Sequence, residues 1–427
     1  MLIQFVFKNY RSFKNEATLD LSASKITEFS DRVIQIGDEK VLPAAVIYGA
    51  NASGKSNVYR AFCYMSEFVA NSFSFGDNDK KYLEQLPEPF LFDANTESAE
   101  SSFEVYFTLP FDESGRVFNY GFSLGREGVV EEWLNSKTKT ARKYKPIIYR
   151  SNLNGESILE LPGITKAKKD LIELTLNKQV LVISLGAKLK IEKCKLVFDW
   201  FGNNVFTDFA DIAHNLYMFR SLPDHFVDEE QTRSDVLKFF SSFDNQIKSF
   251  IVKKMDNSET GDKDLYVVNS LHEKTNSNEM AQIPLQEESA GTLKMFALYP
   301  DLKYVMETGG VFFVDELNAR LHPLLVRNII LTFLNPAINI NHAQIVFTTH
   351  DTWQLSNDLF RRDEVWFVSK DDQGVSSLYS LVDFKENGFK IRKDESYEKN
   401  YLLGKYGAIP SMKMIDLLSE DSDVTRK

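Results

Sequence analysis

Apolar and polar positions follow two rhythms along this chain. Leu2–Phe7 is a short apolar run and Ala17–Leu21 alternates, which predicts strands joined by tight connections over residues 1–50. Val41–Tyr48 (VLPAAVIY) reads as a buried strand ending at a glycine. From Ser56 to about Asn71 the period lengthens to that of a helix, with Val58, Phe62, Met65 and Val69 on one face. Residues 89–134 return to strand character. FEVYFTLPF and VFNYGFSL, with turn-forming GR at 115–116 and GREG at 125–128, predict an antiparallel sheet.

Residues 165–252 read as helical, from KAKKDLIELTLNKQVLVISLGAKL through KLVFDWFGNNVF to RSDVLKFFSSFDNQIKSFIV. Residues 256–282 read as polar loops around one strand, Leu265–Asn269. After Gly310 short strands (VFFVD, AQIVFTT, EVWFVS, SLYSL) alternate with helical stretches, the βαβ rhythm of a parallel α/β sheet. The closing SEDSDVTRK reads as a frayed tail. No heptad persists over three or four repeats, so a long coiled-coil arm is not expected. The pattern divides the chain into 1–150, a mainly helical insertion at 151–285, and 286–427.

Composition changes this picture little. The 427 residues are enough for two or three domains, and 43% apolar with 26% charged residues is ordinary for a globular chain. The net charge of −11 argues against non-specific coating of nucleic acid, which depends on neutralising phosphates. Cys63 and Cys194 have no partner at zinc-site spacing and read as two reduced thiols. No segment approaches the roughly 18 apolar residues of a membrane span, and no signal peptide is visible, so a cytoplasmic location without membrane contact is expected. KAKK at 166–169 and Lys188, Lys190, Lys193 and Lys195 form either a solvated helix face or a surface for nucleic acid or a partner.

The chemistry concentrates in four segments. GANASGKS at Gly49–Ser56 satisfies every fixed position of G-x-x-x-x-G-K-[ST] and lies between a predicted strand and a predicted helix. Backbone N–H groups of Gly49, Asn51, Ser53, Gly54 and Asn57 are expected around phosphates, with Lys55 on the β/γ-phosphates and Ser56 on Mg²⁺. VFFVDE at 311–316 places Asp315 to hold Mg²⁺ and Glu316 to polarise an attacking water. His350 closes the apolar run IVFTTH, a position that suits either a structural histidine or a γ-phosphate contact. In QEESAGTLKMFAL, Ser289, Gly291 and Thr292 lie at a helix N-terminus, which suits either an ordinary cap or an anion site.

Taken in order, these segments resemble ABC-type ATPases of the SMC/OLD superfamily, and specifically the RloA-like ATPases of prokaryotic phage-defence loci. The resemblance spans essentially the whole chain. Besides GANASGKS it includes FKNYRSF, PFLFD, QVLVISLGAKL, VFDWF, EESAGT, FVDELNARLHP, VFTTHD, RRDEVWFVSKDDQG and YLLGKYGAIP.

It implies an ABC-type head of mixed sheet and antiparallel β-subdomain, with 1–150 and 286–427 as its two lobes. Glu288–Thr292 would be a signature motif contacting ATP held by a second copy, in a dimer or higher homo-oligomer. Asn318–His322 would be the loop after the second carboxylate and His350 a switch histidine. Arg11 falls where related heads use an arginine near nucleotide. No convincing Q-loop glutamine can be placed, since Gln85 has no motif around it. OLD proteins carry a C-terminal Toprim nuclease, whereas 77 residues (427 − 350) follow His350 here. The expectation is therefore an ATPase subunit of an abortive-infection system controlling a separately encoded nuclease or toxin. The alternatives are a RecF-like DNA-repair ATPase and a non-hydrolysing, nucleotide-gated scaffold.

Overall fold

The computed structural model of the chain describes residues 1–76, 78–109, 112, 114–139, 141, 143–211, 222–255, 265–386 and 389–410. The SEDSDVTRK tail and residues 256–264 of the polar stretch expected at 256–282 lie outside the described residues; the rest of that stretch is more strand than expected, Leu265–Glu273 pairing with Met280–Pro284.

The N-terminal part contributes strands β1 (Leu2–Lys8), β2 (Ala17–Asp20), β3 (Ile34–Ile36), β4 (Glu39–Val41) and β5 (Ala44–Gly49), then helix α1 (Lys55–Asn71). Two short helices, α2 (Asp79–Leu83) and α3 (Ala94–Glu97), precede strands β6 (Ser101–Thr108), β7 (Val117–Gly125), β8 (Gly128–Lys137), β9 (Lys145–Ser151) and β10 (Ile158–Glu160). Helices α4 (Lys166–Thr175), α5 (Val182–Lys188) and α6 (Glu192–Gly202) lead into β11 (Val205–Asp208). Helix α7 (Glu230–Ser241) and strands β12 (Ile247–Met255), β13 (Leu265–Glu273) and β14 (Met280–Pro284) come next. The last part holds α8 (Ala290–Thr308), β15 (Val311–Asp315), α9 (Pro323–Leu334), β16 (Gln344–Thr348), β17 (Val365–Lys370), β18 (Ser376–Ser380) and α10 (Tyr397–Leu402).

Among the described residues, a six-stranded sheet runs β11-β15-β16-β5-β17-β18, parallel except for β18. Side-chain alternation splits each of its strands between two cores. Ala45, Ile47, Val311, Phe313, Val346, Trp366 and Val368 face α1 and the antiparallel sheet. Ala44, Val46, Tyr48, Phe312, Val314, Ile345, Phe347, Val365 and Phe367 face α8 and α9. Burial on both faces is why these strands read as unbroken apolar runs.

The predicted face of α1 is buried: Val58, Phe62, Met65 and Val69 are each 0% exposed, and Phe62 packs against Phe206, Phe313 and Trp200. The antiparallel sheet predicted around FEVYFTLPF and VFNYGFSL is present as part of a seven-stranded sheet, β10-β9-β8-β7-β6-β1-β2. Its strand character begins at Ser101, because Asp93 accepts from the Asn95 amide and caps α3 instead.

The stretch 165–252 departs from the helical reading twice. VFTD becomes β11 because it completes the parallel sheet beside β15. IKSFIVKKM becomes β12, pairing antiparallel with β13. Short apolar runs suit either period, and a neighbouring strand edge decides between them. The segment 151–285 is accordingly shared out. Its helices α4–α6 join the first core, β11 joins the central sheet, and β12–β14 form a separate three-stranded sheet. Of the lysines singled out in the sequence, Lys168 donates to the Lys190 carbonyl, Lys193 to the Gly163 carbonyl, and Lys195 pairs with Asp199. Cys63 is half-buried and Cys194 buried; burial pushes the Cys194 thiol up to about 12.

A buried polar knot ties the N-terminal region to β17. Arg361, 1% exposed, grips Asp363 through Nε and Nη2 (2.9 and 2.8 Å), and Asp363 also accepts from the Ser24 amide and hydroxyl. Glu364 accepts from the Arg361 amide at 2.9 Å, and its burial pushes the carboxyl up to about 8.

Candidate nucleotide site

The C-terminal ends of β5, β15 and β16 lie side by side in the parallel sheet, where α/β proteins assemble their sites. The chain leaves β5 at Gly49, where an added Cβ would fall 2.4 Å from the Val368 carbonyl oxygen. It enters α1 through Gly54 at φ 114°, where a Cβ would lie 2.6 Å from Ser376 Oγ and 2.7 Å from Ser12 Oγ. Only glycine meets both demands at Gly54. Those hydroxyls hold the loop in place. Ser376 Oγ donates to the Ser53 carbonyl (2.5 Å) and lies 2.7 Å from Ser12 Oγ, which accepts from Asn57 Nδ2 (2.8 Å).

Lys55, 5% exposed, donates to the Gly49 and Ala50 carbonyls at 3.0 and 3.2 Å. Burial lowers its ammonium, against the pull of Glu316 and Asp315. Above the loop opens a cleft of about 400 Å³ lined by Asn51, Gly54, Lys55, Ser56 and Asn57 on one side and Glu316, His350 and Lys370 on the other.

Asp315 is fully buried, which raises its carboxyl, partly countered by the Thr348 and Ser56 hydroxyls. Thr348 Oγ1 donates to Asp315 Oδ1 (2.5 Å), while Asp315 Oδ2 has no hydrogen-bond partner among the described residues. The same Thr348 oxygen accepts from the Glu316 amide at 2.9 Å. Glu316 sits at φ 57°, a left-handed conformation that costs a non-glycine residue about 1 kcal/mol or more and turns its carboxylate out of the strand. Its Oε1 is 2.9 Å from His350 Nε2. Burial raises the Glu316 carboxyl, but His350, Lys55 and Lys294 outweigh it and hold it below the usual range.

Magnesium fits this donor set. An orphaned, buried carboxylate oxygen beside a serine at the start of α1 is the oxygen-rich, incomplete shell that Mg²⁺ fills with phosphates and water.

Two sets of expected residues lie elsewhere. Arg11 does not line the cleft; at φ 51° it points to Glu88 (2.8 Å), and it is the neighbouring Ser12 that reaches the phosphate-binding loop. Ser289, Gly291 and Thr292 do not line the cleft of their own chain. Ser289 Oγ accepts from the Thr292 amide at 3.1 Å and caps α8, and a Cβ at Gly291 would lie 3.6 Å from the Arg320 carbonyl oxygen. Glu288, just before, is held by His272 (2.7 Å) and Ser270.

Residues 44–353 match the family described as "AAA domain, putative AbiEii toxin, Type IV TA system". The chain belongs to this family. Its α/β P-loop ATPase architecture is the one expected from the sequence. Among solved structures it is similar to the SMC head bound to the C-winged helix domain of ScpA, at 15% identity and TM-score 0.44, covering 89% of this chain and 97% of that one. It is also similar to the SMC head domain from Thermotoga maritima, at 15% identity and TM-score 0.40, covering 89% and 98%. No curated protein matches it.

Sequence reading missed several residues of this AAA-domain site. Thr348 and Thr349 precede His350 unremarked, yet Thr348 braces the Asp315 carboxylate and the Glu316 amide, and Thr349 Oγ1 donates to Asn318 Oδ1 (2.8 Å). Two hydroxyls closing an apolar strand were the available signal. Lys370 ends β17 inside the segment RRDEVWFVSKDDQG, which marked the resemblance without giving this lysine a role. Asp208 pairs in register with Asp315 at the end of β11, and its charge raises the Asp315 carboxyl further. The helical reading of that stretch hid it.

Proposed function

We propose that this chain binds and hydrolyses ATP with Mg²⁺, and that ATP joins two copies of it. The observation that carries the reading is Glu316, turned out of β15 beside His350 and facing Lys55 across one cleft. In this reading the loop amides from Gly49 to Asn57 cradle the phosphates, Lys55 neutralises their terminal charge, and Ser56 and Asp315 hold the metal. Magnesium supplies charge neutralisation at the phosphates. Glu316, kept ionised, orients and deprotonates the attacking water; His350 fixes its carboxylate and lies at the mouth of the cleft.

Ser289–Thr292, capped at the start of α8 and absent from the cleft of their own chain, serve the site of the second copy. The biological role is that of the ATPase subunit of a prokaryotic anti-phage, abortive-infection system, sensing infection and controlling a separately encoded effector. Membership of a family described by a toxin–antitoxin system supports that direction.

Glu316→Gln is the test. It should lower turnover by about 10²-fold or more while ATP-dependent dimers accumulate in light scattering. Unchanged turnover removes Glu316 from the mechanism. Phage plating on cells expressing the chain with the product of the adjacent gene tests the defence role, which ATP-dependent protection supports and its absence overturns.

A further inference from the structure

Lys294 lies in α8, two residues beyond the capped turn Ser289–Thr292, and is 1% exposed. Lysine is almost never buried this deeply without a partner. Among the described residues no carboxylate lies within ion-pair distance of its ammonium. Instead Nζ donates to the backbone carbonyls of Leu317 (3.3 Å) and Ala319, and it lies 3.4 Å from the centroid of the Phe209 ring.

Those acceptors belong to the turn that leaves Glu316. Leu317 N donates to the Thr348 carbonyl (3.2 Å), and Ala319 N to the Glu316 carbonyl (2.9 Å). Phe209 follows β11, and its amide donates to the Asp315 carbonyl at 3.1 Å. One ammonium therefore gathers the loop after β11, the turn carrying Glu316, and the helix whose first turn is Ser289–Thr292. An apolar side chain would fill the space but leave two buried carbonyls without a donor.

We propose that Lys294 is the positioning residue that couples the Asp315–Glu316 turn of one copy to the Ser289–Thr292 turn that the same copy presents to its partner. The inference rests on the reading that ATP bridges two copies. A shift of the turn at one nucleotide is passed, through the ammonium and the rigid first turns of α8, to the contact made with the other nucleotide.

The experiment compares Glu316→Gln alone with Glu316→Gln combined with Lys294→Met, and wild type with Lys294→Met. It reads fluorescent-ATP affinity, ATP-dependent dimerisation by light scattering, and steady-state turnover. Lys294 lies outside the cleft, so affinity should stay within about twofold, while the dimerisation midpoint rises and kcat falls by about tenfold each with KM unchanged. Lys294→Arg should recover most of both. Should the methionine variant not fold, Lys294→Gln, which keeps one donor, is read the same way. Dimerisation and kcat equal to the parent's overturn the inference and leave the ATP-bridged reading standing. Affinity lost in parallel with them overturns it as well. A parent that forms no ATP-dependent dimer overturns the bridging reading and this inference together.

Discussion

Replacing Thr348 by valine keeps the side-chain shape and removes one hydroxyl that serves the Asp315 carboxylate and the Glu316 backbone amide. In the wild type that oxygen donates to Asp315 at 2.5 Å and accepts from the Glu316 amide at 2.9 Å, with Thr348 itself 0% exposed. A hydrogen bond to a charged acceptor contributes roughly 1.5–3 kcal/mol, and a buried amide left without an acceptor costs roughly 1–3 kcal/mol. The two are not independent, so a loss of about 3 kcal/mol in unfolding free energy is expected, a large share of a typical 5–15 kcal/mol total. Saturating Mg²⁺ and ATP should shrink the loss, because the metal gives Asp315 a new partner. Turnover should fall by about tenfold to a hundredfold, since the amide of Glu316 no longer has the contact that fixes its left-handed turn. Urea denaturation with and without nucleotide measures the first effect, and steady-state phosphate release the second. A stability change below about 0.5 kcal/mol together with turnover within twofold of wild type would refute the reasoning.

Gly54→Ala should leave the chain folded but weaken ATP by about tenfold or more, because the φ of 114° and the 2.6 Å approach to Ser376 Oγ both forbid a Cβ; a fluorescent-ATP titration within twofold of wild type contradicts it. Glu364 gives a pH signature. Its folded value near 8 exceeds the unfolded carboxyl value of about 4.5, so the folded state holds the proton more tightly. Stability contributed by this group is fully present below about pH 4.5 and declines as pH rises toward 8, by a few kcal/mol. Glu364→Gln should flatten that decline in denaturation midpoints measured from pH 5 to 8, and an unchanged slope in the variant sinks the assignment.

The parts of the fold legible in sequence were those where one physical demand dominates. Residues 44–49 and 311–315 must be apolar on both faces to lie in a parallel sheet, and Gly49–Ser56 must supply glycines and a lysine to a phosphate. Where local pattern is neutral, long-range pairing decides. Val205–Asp208 became a strand because β15, far along the chain, offered an edge, and Ile247–Met255 because the next strand, β13, did. The site followed the same division. Lys55, Asp315, Glu316 and His350 were visible because spacing and strand ends mark them. Thr348, Ser12 and Ser376 were not, because they act by bracing backbone or carboxylates contributed by distant segments. Arg11 was placed by resemblance alone, and its backbone turns it toward Glu88.

The strand that carries the phosphate-binding loop is made early and completed late. β5 pairs on one side with β16 and on the other with β17, and Leu2 donates its amide to Gln344, 342 residues away. Closing a chain of that length costs on the order of 5 kcal/mol before any contact repays it. During synthesis the first motif has emerged by residue 56, yet β5 has two open edges until β16 (Gln344–Thr348) is made and one until β17 (Val365–Lys370) follows, and the Ser376 brace comes later still. A growing chain thus carries the nucleotide signature long before it has a nucleotide site, so ATP can reward only the finished topology and gives no help to the half-made one.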